Sequence, residues 1–191
     1  MATATTKALR WWFGSPPDTE IMSNMNVKNT RLPGVLLITP PTIFEDFRGS
    51  YVELYNEEEY RRNGIDVKFI QDDMSTSTRH VLRGLHGDGH THKLITCPIG
   101  KIYVIVVNND PSHPQYRQWE SFTLSESNRL QVLVPPLHGL GHLVLSDRAV
   151  FHYKQSSYYH RESQFTIRWN DPAYGLWWPI SAPILSQRDG S

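Results

Sequence analysis

The chain has one cysteine, no net charge and no long apolar run, and each scarcity removes a class of function. Cys97 alone cannot close an intrachain disulfide. Nineteen Lys and Arg are balanced by nineteen Asp and Glu, for a formal net charge of +0. No basic field is therefore present to attract nucleic acid or an anionic membrane. No apolar stretch approaches the roughly 20 residues that a membrane helix needs, and no secretory signal pattern is present. The expectation is a cytoplasmic protein with a small-molecule partner and one well-buried core. Helical periodicity is just as scarce. It is confined to Glu57–Asn63, where Asn56 can cap, three glutamates sit at the positive end of the dipole and Gly64 stops the helix.

What remains has the rhythm of strands. Residues 34–38, 50–54, 101–107, 130–134 and 164–168 are short, β-branched or aromatic, and bounded by Gly, Pro, Asn or Asp. Many short strands with one helix predict an all-β fold, a sandwich or a jelly-roll barrel whose wide mouth holds the ligand. Residues 1–27 read as an N-terminal arm or linker before a domain over 28–191, because Ala2–Thr6 is small and polar and Gly14-Ser15-Pro16-Pro17 breaks any regular element. Trp11-Trp12-Phe13 would then dock on the domain or a neighbouring subunit. Cys97 lies in an apolar run and reads as a buried structural thiol. Trp119, Trp169, Trp177 and Trp178 read as core or interface.

The chemistry-bearing residues are dispersed. Arg83-Gly84-Leu85-His86 ends an apolar strand-like run, and Tyr153-Lys154 and Asn170-Asp171-Pro172 answer it far downstream. In a barrel such residues can project from neighbouring strands into one lumen, giving an imidazole a carboxylate partner and a phenol facing it. This set suits proton abstraction next to a carbonyl. His90-Thr91-His92 could put two imidazoles on one strand face, but Lys93 follows where a carboxylate ligand would be needed. Both read as solvated loop histidines, and no metal is expected. His80, His113 and His160 sit among polar or turn residues.

Phe47–Tyr51, Phe69–Asp72, Val81–His86, Lys93–Ile95, Val144–Asp147, Tyr153-Lys154, Trp169–Pro172 and Trp178-Pro179 run in an order that resembles the dTDP-4-dehydrorhamnose 3,5-epimerase family, from about Thr30 to Asp189. The resemblance implies a cupin-type jelly-roll homodimer that epimerises a nucleotide-linked 4-keto sugar with neither metal nor organic cofactor. Carried over residue by residue, it makes His86 the general base and Asp171 the carboxylate that orients it. Lys93 becomes the cation that meets the enolate oxygen, and Tyr153 the acid on the opposite face. Arg48, Glu53, Gln71 and Arg83 match positions that contact the nucleotide or sugar, and Tyr159 forms a further wall.

Two stretches depart from the family pattern. Gly87–His92 follows His86, and Leu137–His142 places Leu140 where the family has a second histidine and puts His142 two residues later. These loops resemble a branch acting on nucleotide-linked 4-keto heptoses, some members of which invert a single centre, and they add His142 to the expected sugar contacts. Two other readings share the barrel: a nucleotide-sugar 3,4-ketoisomerase and a noncatalytic sugar-binding protein. The joint presence of His86, Lys93, Tyr153 and Asp171 favours epimerisation over both.

Overall fold

The computed structural model describes residues 25–40 and 42–190. Trp11-Trp12-Phe13 and all of the expected arm before Met25 lie outside the described residues. Among the described residues there are thirteen strands: β1 (Asn26–Asn29), β2 (Leu36–Thr39), β3 (Thr42–Asp46), β4 (Gly49–Glu53), β5 (Gln71–Thr78), β6 (Leu82–Gly87), β7 (Lys93–Ile99), β8 (Lys101–Asn108), β9 (Trp119–Ser125), β10 (Gln131–Val134), β11 (His138–Val144), β12 (Arg148–Gln155) and β13 (Phe165–Thr166). Two short α-helices, α1 (Glu57–Arg62) and α2 (Gln187–Gly190), and a 3-10 turn at Arg161–Ser163 complete the framework of the described residues. A six-stranded sheet in the order β1-β2-β10-β7-β12-β5 faces a five-stranded one in the order β13-β6-β11-β8-β9, and β3 and β4 form a separate hairpin. Every pairing between these strands is antiparallel. The expected all-β jelly-roll class is therefore what the chain adopts.

The side-chain period of two explains how the lumen is furnished. In β8, Ile102, Val104 and Val106 enter one apolar cluster while Tyr103, Ile105 and Val107 enter another. The first cluster fills the space between the sheets, and the second lies beneath the C-terminal segment, where Ile167 and Trp178 are buried. With both faces covered, β8 reads as an almost continuous apolar run. Fully burying one of its valines is worth about 1.5–3 kcal/mol.

The same parity sorts the polar residues. In β7, Ile95 and Cys97 belong to the inter-sheet core, so Lys93 points the same way at the strand's open end. In β11, Leu140 and Val144 face the core with His142 between them, and in β12 Phe151 leads to Tyr153. Each strand is apolar deep in the barrel and polar at one mouth.

Helix α1 forms as the sequence dictates. Asn56 accepts from the backbone N–H groups of Glu58 and Glu59 at 3.1 and 3.3 Å. Gly64 takes φ +83°, a conformation in which glycine replaces a strained side chain, and so ends the helix. Tyr60 buries its ring against Ile38, Ile65 and Leu94, closing the outer face of the six-stranded sheet. Of the expected strands, residues 164–168 shrink to Phe165–Thr166, although Ile167 still exchanges both backbone hydrogen bonds with Leu85, at 3.2 and 2.9 Å.

Candidate active site

At the polar mouth lies a cavity of about 340 Å³ whose wall includes His86 and Arg83 from β6, Lys93 from β7, Leu140 and His142 from β11, and Phe151 and Tyr153 from β12. His86 and Tyr153 stand on different sheets, so a molecule in the cavity meets the imidazole from one wall and the phenol from the other. The expected residues His86, Lys93, Tyr153, Arg83, His142 and Tyr159 converge here.

Asp171 does not. Its carboxylate caps its own turn, accepting from the Ala173 N–H at 2.9 Å, and lines a separate open groove with Trp169, Trp177 and Trp178. The partner of His86 is Asp189, with Nε2 to Oδ1 at 2.8 Å. The cause is the course of the chain. After Ile167 anchors against Leu85, the segment leaves the lumen and packs Trp178 on Tyr103 over the outer face of the five-stranded sheet. It returns through a bridge between Val81 and Ile184, and only then does α2 deliver Asp189. A signal was present in Ser186-Gln187-Arg188-Asp189: the S-x-x-D spacing of a capped turn is realised, with Ser186 Oγ donating to Asp189 Oδ2 at 3.0 Å and accepting from the Asp189 N–H at 3.2 Å. Burial alone would raise the Asp189 carboxyl, but His86, Ser186 and the Gly84 backbone hold it below the usual range, so it stays an anion against the imidazole.

The remaining electrostatics fit a proton-transfer site. Burial, with the charges of Asp73 and Tyr159, pushes the Tyr153 phenol up to about 12, which keeps it a proton donor at neutral pH. Burial lowers the Lys93 ammonium, with Arg188 adding to the effect and Asp88 opposing it. A cation held in so enclosed a position interacts strongly with any charge developing beside it. His142 is 4% exposed and stacks on Phe151 with centroids 4.2 Å apart. Burial and the neighbouring Arg83 push it down to about 3, against the pull of Asp189, so it is a neutral imidazole in the wall.

That depression has a stability consequence. The unfolded chain holds a proton on His142 below about pH 6.5, and the folded one refuses it until about pH 3. Stability therefore falls with falling pH through this window, by at most about 1.4 kcal/mol per pH unit from this residue. Urea midpoints measured at pH 7 and pH 5 should diverge less for His142→Phe than for the wild type. Equal divergence would show that His142 is not held neutral.

Three expected contacts take other places. Arg48 is at the turn of the β3–β4 hairpin, paired with Asp46 and lining a groove with Phe44 and Tyr51 rather than the cavity. Glu53 ends the same hairpin. Because neither main sheet pairs with that hairpin, neither residue reaches the cavity of its own chain. Gln71 supports the wall from behind, accepting from the Tyr159 N–H at 2.9 Å and donating to Asp73 at 2.7 Å. The sequence reading missed Ser75, Gln155, Gln164, Ser186, Arg188 and Asp189, all of which line the cavity. Gln155 shares Asp73 with Gln71, and Gln164 donates to the buried Asp88 at 2.6 Å, tying the turn after β6 to the wall. Among the described residues no group of three or more His, Cys, Asp or Glu is placed to hold a metal ion.

Residues 29–191 match the sequence profile of the dTDP-4-dehydrorhamnose 3,5-epimerase family. The dTDP-4-dehydrorhamnose 3,5-epimerase of Escherichia coli K12 is 38% identical over 170 residues, which cover 86% of this chain and 91% of the relative. A dTDP-6-deoxy-D-glucose-3,5-epimerase from Legionella pneumophila, solved in complex with dTDP-4-keto-L-rhamnose, superposes with a TM-score of 0.82 at 35% identity, covering 87% of this chain and 90% of that one. A 3'-monoepimerase from Streptomyces bikiniensis, solved with dTDP-quinovose, gives 0.77 at 28% identity, with 82% and 81% covered.

Proposed function

Because the chain belongs to the dTDP-4-dehydrorhamnose 3,5-epimerase family, we propose that it is an isomerase that epimerises a nucleotide-linked 4-keto sugar at C3, C5 or both. The observation that carries this reading is the His86–Asp189 pair on one wall of the cavity with Tyr153 on the other. His86 removes the proton from the carbon beside the ketone; the C–H electron pair becomes the C=C bond of an enolate, and the carbonyl π pair moves onto the oxygen. Lys93 meets that oxygen. Tyr153 then returns a proton from the opposite face, which inverts the centre. Asp189 takes the orienting role that the sequence resemblance gave to Asp171. Arg83 and Tyr159 hold the substrate's diphosphate or sugar, and His142 contacts the sugar. A nucleotide-activated sugar and a single buried thiol are in keeping with a cytoplasmic setting. Incubation with dTDP- and GDP-linked 4-keto sugars, followed by NMR of the sugar protons, should show conversion of at least one. Tight binding without conversion of any would favour the sugar-binding barrel.

Arg48 and Glu53 can serve a cavity only if that cavity belongs to another copy. The β3–β4 hairpin exposes Phe44, Phe47 and Tyr51, with Phe47 98% exposed, and β5 ends the six-stranded sheet without a described partner on its free side. Both features call for cover, and a two-fold homodimer provides it. Light scattering should give twice the chain mass. Arg48→Ala should raise KM about tenfold, the worth of one charge-assisted contact to a diphosphate, with kcat held within about threefold. A monomer whose Arg48→Ala variant keeps its KM would refute the shared site.

A further inference from the structure

His86 and Asp189 do not stand alone: a chain of three contacts links them through Thr166 to Arg188, both of its ends lie in the cavity wall, and the donor and acceptor roles at those ends are fixed by chemistry. Arg188 Nη2 donates to Thr166 Oγ1 at 3.2 Å, Thr166 Oγ1 lies 3.2 Å from His86 Nδ1, and His86 Nε2 lies 2.8 Å from Asp189 Oδ1. A guanidinium can only donate, so Thr166 Oγ1 accepts from Arg188 and keeps its own proton to give. The depressed Asp189 carboxyl is an anion with an oxygen 2.8 Å from Nε2, and it would repel a bare lone pair there, so a neutral His86 carries its hydrogen on Nε2. The lone pair is therefore on Nδ1, and the Thr166 hydroxyl is the donor that faces it. Thr166 is held there by the backbone, because it is the direct cross-strand partner of His86 where β13 pairs with β6.

We propose that Thr166 is a positioning residue which, with Asp189, holds His86 in its Nε2–H tautomer and makes Nδ1 the nitrogen that receives the substrate proton. This rests on the epimerase reading for its rate consequence but not for its tautomer. In the resting site the hydroxyl steadies the imidazole through a contact at the long end of the hydrogen-bond range, which an arriving substrate can displace. When the C–H bond breaks, its proton bonds to the Nδ1 lone pair, its electron pair becomes the C=C bond of the enolate, and the carbonyl π pair moves onto the oxygen. The hydroxyl then turns, and its second lone pair can accept from the new Nδ1–H. One oxygen thus serves both protonation states of the ring. The other charged and titratable groups around the site are Arg83 on the same strand, Lys93, His142, Tyr153 and Tyr159. None of them has a hydrogen bond to either ring nitrogen among the described residues.

Two readouts test this on the full-length protein. The first is the ¹⁵N spectrum of the histidine rings at alkaline pH, with His86 identified by its loss in His86→Asn. Nδ1 should appear as the bare nitrogen and Nε2 as the protonated one, and in Thr166→Val the Nδ1 signal should move toward that of an unbonded ring nitrogen. A protonated Nδ1 in the wild type, or an unmoved signal in the valine variant, would overturn the proposal. The second is turnover of whichever dTDP- or GDP-linked 4-keto sugar the wild type converts. Thr166→Val, which keeps the β-branched shape on a surface strand, should lower kcat about tenfold with KM within about twofold, and Thr166→Ser should recover most of the loss. Wild-type kcat in Thr166→Val would overturn the positioning role. Absence of turnover of every dTDP- and GDP-linked 4-keto sugar in the wild type would instead count against the epimerase reading, and the spectra would still decide the tautomer.

Discussion

Asp189→Asn is expected to slow exchange of the sugar protons about 10²–10⁴-fold, whereas Asp171→Asn should leave it within about twofold. An asparagine at 189 preserves shape but removes the charge that steadies the imidazolium. Its amide can also donate to Nε2, which would leave the hydrogen on Nδ1, the wrong tautomer for proton abstraction. His86→Ala should abolish exchange altogether without unfolding the protein, since His86 sits at the mouth and not in either apolar cluster. Asp171 only caps its own turn, so the cost of its replacement is structural and local. Measuring deuterium uptake in both variants decides between the two carboxylates. Equal losses would mean that the ion pair at 2.8 Å is not the working one.

Tyr153→Phe should separate exchange from inversion. The phenol, held protonated by burial, is on the wall opposite His86, and phenylalanine keeps the ring's packing next to Phe151 while deleting only the proton donor. The base can still take the proton, and the enolate is then reprotonated from the side it came from. Deuterium should enter the carbon or carbons flanking the ketone at a substantial fraction of the wild-type rate, while the inverted product forms at least about 10²-fold more slowly. A variant that inverts at full rate would assign the second-face acid to another group in the cavity, of which His142 is the nearest in kind.

The sequence made the class of fold legible because strand signals are local: β8 and β10 are apolar runs with clear ends, and α1 carries its own cap and stop. It made half of the dyad legible for the same reason, since Leu82–Gly87 is a strand whose functional residue stands one position from its end. The other half depends on where some twenty residues between Ile167 and Asp189 travel. Asn170-Asp171-Pro172 looked more distinctive than Ser186-Gln187-Arg188-Asp189, but the packing of Trp178 and Ile167 takes the first away from the lumen and brings the second back. Arg48 shows a different limit. A residue on a detached hairpin carries no sequence mark of which copy's cavity it serves. Thr166 was hidden because a single threonine in a two-residue strand is unremarkable until its cross-strand neighbour is known.

The most direct test of the central claim is to run the wild-type protein on a nucleotide-linked 4-keto sugar in heavy water and follow C3 and C5 by NMR. Abstraction by His86 and reprotonation by Tyr153 require the product to be inverted at one or both centres and to carry deuterium at each inverted carbon. An inverted product that keeps its original protons, or a substrate recovered with neither exchange nor inversion, would contradict the proposed mechanism.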